Sequence, residues 1–199
     1  MKIRMTAILV VMLLTVAGRA QAGIIFSMSP AFVNAETSDF VQMDLIVSGL
    51  GDDATPSLGT FDLDIGYDTA HLAVDSWLVG NALGDFNLFE AADFSLGDNM
   101  MGTLSLSVLS LLAPADLVAG QNSSFSLATI TFEVLSLLPG EFTDVTIDTV
   151  FASGDEFGDP LDVDDTRAGR IGNGIDVPSP STLGLTLSFL TLILWRRKH

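Results

Sequence analysis

Runs in which apolar and polar residues alternate one for one recur through the central part of this chain. Val41, Met43, Leu45 and Val47 alternate with Gln42, Asp44 and Ile46. Phe61, Leu63, Ile65 and Tyr67 alternate with Asp62, Asp64 and Gly66. Leu104, Leu106 and Val108 do so with Thr103, Ser105 and Ser107, and Ala128, Ile130, Phe132 and Val134 with Thr129, Thr131 and Glu133. Successive side chains of a strand point to opposite faces, so a period of two sends one set to a core and the other to water. Strands of a parallel sheet, covered on both faces, would instead read as unbroken apolar runs. Residues 24–28, 72–79, 86–90 and 145–151 are further candidates, giving about eight antiparallel strands and predicting an all-β sandwich. Turn residues separate them: 49–53 (Gly-Leu-Gly-Asp-Asp), 97–99 (Gly-Asp-Asn), Pro139-Gly140 and Gly154-Asp155. Residues 68–72 suit one helical turn capped by Asp68. There is no long amphipathic helix pattern and no fixed-period repeat, which argues against a propeller or solenoid.

The two ends follow a different grammar. Lys2 and Arg4 precede an apolar run over residues 5–17, and Ala20-Gln21-Ala22 follows. Basic start, short apolar stretch and small-residue site make a secretory signal, with cleavage after Ala22 and Gly23 as the mature end; an uncleaved anchor is the alternative. At the other end, residues 182–195 are apolar apart from small hydroxyls and are followed by Arg196, Arg197, Lys198 and His199. As a helix this stretch covers about 21 Å, short of the ~30 Å hydrocarbon core. Trp195 suits the interface and the basic cluster the cytoplasmic side, so the middle is expected outside and the tail retained in the membrane. The expected organisation is a signal peptide (1–22), a β-sandwich (23–166), a Gly/Pro linker with sorting motif (167–181), a short transmembrane helix (182–195) and a basic cytoplasmic tail (196–199).

Charge narrows the function classes. Six of the eight basic residues lie in the two ends, which leaves Arg167 and Arg170 in the middle against all 25 acidic residues. Binding a phosphate backbone needs clustered Lys and Arg, so nucleic acid is excluded as a partner. The chain has no cysteine, which excludes disulfides, thiolate metal sites and a cysteine nucleophile. The two histidines, His71 and His199, cannot complete a zinc site, and no Gly-x-Ser-x-Gly elbow precedes a helix. Asp62 with Asp64 and Asp162 with Asp164 are spaced to share a strand face, as acid–base pairs can be, but the same spacing describes a solvent-facing strand. No enzyme is expected. Asp155, Asp159, Asp162 and Asp164 form an acidic stretch rich in hard oxygen ligands and are the candidate calcium site, against the alternative of a solvated loop. They do not match an EF-hand spacing. Trp77 and the phenylalanines are expected in the core rather than as ligand platforms, and Asn122-Ser123-Ser124 has the form of a glycosylation triplet.

Two resemblances add to this reading. Val177, Pro178, Pro180, Thr182 and Leu183, the apolar segment, and the terminal Arg196, Arg197 and Lys198 together resemble the PEP-CTERM sorting signal of Gram-negative bacteria. That family usually has Glu where this chain has Ser179. The resemblance implies an exosortase-type membrane enzyme as processing partner and an association with exopolysaccharide. In the middle, Asp44-Leu-Ile-Val-Ser-Gly-Leu-Gly-Asp52, Pro56-Ser-Leu-Gly-Thr-Phe-Asp-Leu-Asp64, Tyr67-Asp68 and Leu127-Ala-Thr-Ile-Thr-Phe-Glu-Val134 resemble a cohesin-like domain. That implies a jelly-roll β-sandwich and, in cellulosomes, binding of dockerins. The expectation is an exported envelope or matrix protein of structural or adhesive role, contacting polysaccharide or another surface protein. The alternative is a carbohydrate- or protein-binding module, with calcium support as an option.

Overall fold

The computed structural model describes residues 23–174. The four alternating runs become β3 (Phe40–Ser48), β4 (Thr60–Gly66), β8 (Thr103–Ser110) and β9 (Ser124–Val134), with the sidedness their pattern demands. Phe61, Leu63 and Ile65 are fully buried while Asp62 and Asp64 point outward. The expected strands at 24–28, 72–79 and 145–151 are β1 (Ile24–Ser29), β5 (Leu72–Val79) and β10 (Phe142–Gly154). Five short strands complete the described set: β2 (Phe32–Asn34), β6 (Ala91–Asp93), β7 (Gly97–Asp98), β11 (Val163–Arg167) and β12 (Gly169–Gly172).

The strands form two sheets, one in the order β11-β1-β3-β9-β5 and one in the order β2-β12-β10-β4-β8-β6, with β7 also paired to β8. Pairing is antiparallel except where the two ends of the domain meet: β1 runs parallel to β11, and β2 parallel to β12. The inward faces supply one continuous core that includes Phe26, Met43, Phe61, Leu106, Phe132 and Val145. Tyr67 stacks on Phe132 at 5.8 Å between ring centroids, tilted at 59°, a favoured aromatic geometry.

Among the described residues one α-helix, α1 (Pro114–Gly120), starts with proline at its first turn and buries only Leu117. It delivers Gln121, whose amide is buried and fully used. Oε1 accepts from the N–H of Leu58 at 2.7 Å, and Nε2 donates to the carbonyls of Leu58 (2.8 Å) and Ala82 (3.1 Å). Three loop segments at one end of the sandwich are thereby tied together.

The structure corrects three expectations. Residues 86–90 are not a strand. Asp85 accepts from the N–H of Asn87 and caps a single 3-10 turn over Phe86–Leu88, which Phe89 ends in a left-handed conformation. The expected linker from 167 begins too early, because residues 169–172 are β12, inserted between β2 and β10 with Ile171 fully buried. Gly169 lets that strand enter, since a Cβ there would run into Met43 Cε and lie 2.9 Å from Met28 Cβ. Trp77 is not a core residue: it faces inward from the edge strand β5, opposite Ile130, yet stays 40% exposed beside Gly97. The helical turn at 68–72 is present, with the N–H of Leu72 donating to the Asp68 carbonyl and that of Ala70 to its carboxylate.

Candidate functional site

The proposed calcium ligands do not converge. Asp155 Oδ1 accepts from the N–H groups of Phe157 (2.8 Å) and Asp159 (2.9 Å), so this carboxylate shapes its own turn. Glu156 Oε2 accepts from both the N–H and the hydroxyl of Ser57 at 3.0 Å and fastens the turn to the loop before β4. Asp164 Oδ2 accepts from the N–H of Gly23 at 2.8 Å. Asp162 uses its carbonyl to start the β1–β11 pairing. Among the described residues no group of three or more His, Asp or Glu side chains is placed to hold a metal ion. A hard cation wants six or more oxygens, and the structure does not bring Asp155, Asp159, Asp162 and Asp164 together as such a set.

Asp62 and Asp64 share the outer face of β4, as their spacing requires. Register places Asp62 opposite Ser107 and Ala152, and Asp64 opposite Ser105 and Thr149. The hydroxyl of Ser105 donates to Asp64 at 2.5 Å. These side chains are all short. With Thr60, Thr103 and Thr146 they make the outer face of the β10-β4-β8 layer a low platform in which backbone lies close to solvent.

Apolar side chains border that platform. Residues 90–99 run beside β8, with Leu111 N–H donating to Glu90, Phe94 to Ser107 and Asn99 to Thr103. This segment and the residues flanking it carry Phe89, Phe94, Leu96, Met100 and Met101 at 61–89% exposure. On the opposite side β10 twice slips register against β4, which leaves Phe151 unpaired and 63% exposed. A groove of about 410 Å³ lies there, lined by Phe151, Pro160, Leu161 and Val163. Contiguous exposed apolar surface next to polar rims marks interaction sites. The expectation of a buried set of phenylalanines holds for Phe26, Phe61 and Phe132 and fails for these. Their signal in the sequence is position: they sit outside the alternating runs, where no partner face is implied.

His71 lies in the Asp68 turn. Its Nδ1 donates to the Ser136 carbonyl at 2.6 Å, a structural bond between two loops rather than catalytic pairing. Tyr67 donates to Asp98 Oδ1 at 2.6 Å. Burial, and then the bond and negative charge of Asp98, push its phenol up to about 12. The unfolded chain ionises near pH 10, so stability tied to the protonated phenol is present below that pH and is lost as pH rises from 10 towards 12. Tyr67 is the chain's single tyrosine. Absorbance titration at 295 nm should therefore give one midpoint near 12 in the folded protein, moving towards 10 in Asp98→Ala.

The signal residues Ala20 and Ala22, the sorting residues Val177, Pro178, Pro180, Thr182 and Leu183, and the basic residues Arg196, Arg197 and Lys198 lie outside the described residues, as does the expected membrane helix at 182–195. Gly23 alone of that set is described. Among the described residues no helix is long and apolar enough to cross a membrane.

No protein-family model matches the chain, and no curated protein does. Solved structures do. A chain of a type I cohesin–dockerin complex from Clostridium thermocellum superposes with a TM-score of 0.60 at 13% identity, over 77% of this chain and 99% of that one. The cohesin CaCohA2 from Clostridium acetobutylicum gives 0.57 at 19%, over 78% and 94%. A type II cohesin domain from the cellulosome of Acetivibrio cellulolyticus gives 0.56 at 16%, over 76% and 94%. The cohesins are matched almost end to end by the described part of this chain, which has the cohesin β-sandwich fold.

Proposed function

We propose that this protein is a non-catalytic docking module carried outside the inner membrane. In this reading a partner protein seats on the outer face of the β10-β4-β8 layer. The observation that carries it is the end-to-end match to cohesins, among them a cohesin–dockerin complex and cohesins solved with dockerins from other bacteria. The platform supports it: a flat centre of Asp62, Asp64, Ser105 and Ser107 offers hydrogen-bond acceptors, and the apolar borders at Phe94–Leu96 and Phe151 offer desolvation. The partner fitting this face is a small protein module with hydrogen-bond donors or basic side chains at its centre and apolar residues at its edges. Fold alone does not choose a partner, so its chemistry is read from the face.

The export signal and the PEP-CTERM-like tail complete the proposal. The leader is cleaved after Ala22, the apolar segment at 182–195 holds the chain in the membrane, and an exosortase-type enzyme acts on the Val177–Leu183 motif. The module is thereby delivered to the envelope or extracellular matrix, where polysaccharide-rich material surrounds it.

A photo-crosslinking amino acid at Ser107, on the platform, and at Thr131, on the outer face of the other sheet, tests the docking face in the native host. The expected result is one discrete protein adduct from position 107 and none from 131. Adducts from both positions alike, or only with polysaccharide, would count against the reading. Mass spectrometry of the two ends of the exported chain tests the processing.

A further inference from the structure

The start of the sandwich is fastened by its end. The backbone N–H of Gly23 donates to Asp164 Oδ2 at 2.8 Å, and that of Ile24 to the Asp162 carbonyl at 2.9 Å. β1 then continues parallel to β11 with Ile24 opposite Val163. Only glycine fits at position 23. A Cβ there would run into the Asp164 carboxylate and lie 2.8 Å from the Asp162 carbonyl, so any other residue would push the nitrogen off its acceptor.

Cations are scarce in this domain. Arg167 is paired with Asp165 at 3.0 Å and Arg170 with Asp144 at 2.6 Å. Asp162 and Asp164 have no such partner among the described residues. Resting on the proposed cleavage after Ala22, we infer that leader removal converts the Gly23–Asp164 hydrogen bond into an ion pair that clasps the two ends of the mature domain. A signal peptidase and one water break the Ala22–Gly23 peptide bond, leaving a carboxylate on Ala22 and an ammonium on Gly23. The new charge forms at a nitrogen that already lies against its counter-ion. The precursor lacks this charge, so the domain is held more loosely while the leader is attached and more firmly once it is released.

Asp164 is exposed, which keeps the effect modest. The mature chain, residues 23–199 in detergent micelles, is compared with the same chain acetylated on Gly23, each with Asp164 and with Asp164→Asn. Acetylation is expected to lower the thermal midpoint by about 1–3 °C with Asp164 present and by much less in Asp164→Asn. Equal shifts in both backgrounds, or none in either, overturn the clasp. Finding an N-terminus other than Gly23 on the exported protein overturns its premise by a separate measurement.

Discussion

Replacing Gln121 with leucine is expected to cost about 3–4 kcal/mol of unfolding free energy, although the side-chain volume hardly changes. Leucine cannot replace the amide. The N–H and carbonyl of Leu58 would lose their partner in a buried place, and the carbonyl of Ala82 in a half-buried one. Each orphaned buried group costs on the order of 1–3 kcal/mol, and partial relaxation of the three loops keeps the total below the simple sum. For a domain of this size the thermal midpoint should fall by about 10 °C. Gln121→Glu separates the two halves of the clamp. It keeps an acceptor for Leu58 N–H but removes both donors and buries a charge, so it should be at least as damaging near neutral pH. Urea denaturation followed by Trp77 fluorescence measures both; a loss below 1 kcal/mol in Gln121→Leu would show that the loops find other partners.

Ending the chain at Arg167 is expected to abolish the cooperative unfolding transition altogether. If residues 167–181 were a linker, this cut would be silent. In the structure it removes β12, strips β2 and β10 of their shared neighbour, and uncovers Val145 and Thr143. Loss of the Ile171 side chain alone, in Ile171→Ala, should cost about 3 kcal/mol from transfer and cavity effects. The missing backbone bonds raise the total to the scale of a whole domain's stability, about 5–15 kcal/mol. A chain ending at Gly174 should retain the full transition, and that comparison by urea titration decides where the domain ends.

The parts of this fold that can be read directly are those buried on one side. β3, β4, β8 and β9 show their inward faces as every second residue, and their register follows because a slip of one would put Asp62 or Thr131 in the core. β12 was missed because four residues hold too short a pattern, and two glycines in Gly169–Gly172 look like flexibility when read alone. Here Gly169 serves close approach to Met43 instead. The strand expected at 86–90 fails because Phe86-Asn87-Leu88 alternates over three residues only, and Asp85 folds them into a capped 3-10 turn. The acidic stretch was legible as composition but not as geometry. Asp155 and Asp164 accept backbone N–H groups from residues 2 and 141 positions away, and only the second of those needs the complete fold. The platform on β4 and β8 was visible as residues and invisible as a site, because small polar side chains on a strand look the same whether they face water or a partner.

The parallel pairing of β1 with β11 and of β2 with β12 has a temporal side. One sheet gains β11 beside β1 only once residue 167 has emerged, and the other is complete only at residue 172, when β12 enters between β10 and β2, which was made near the start. A chain threaded through a translocation channel from its leading end would therefore stay pliable for almost the whole journey and lock late. Such dependence on distant partners slows closure but postpones it to the side of arrival.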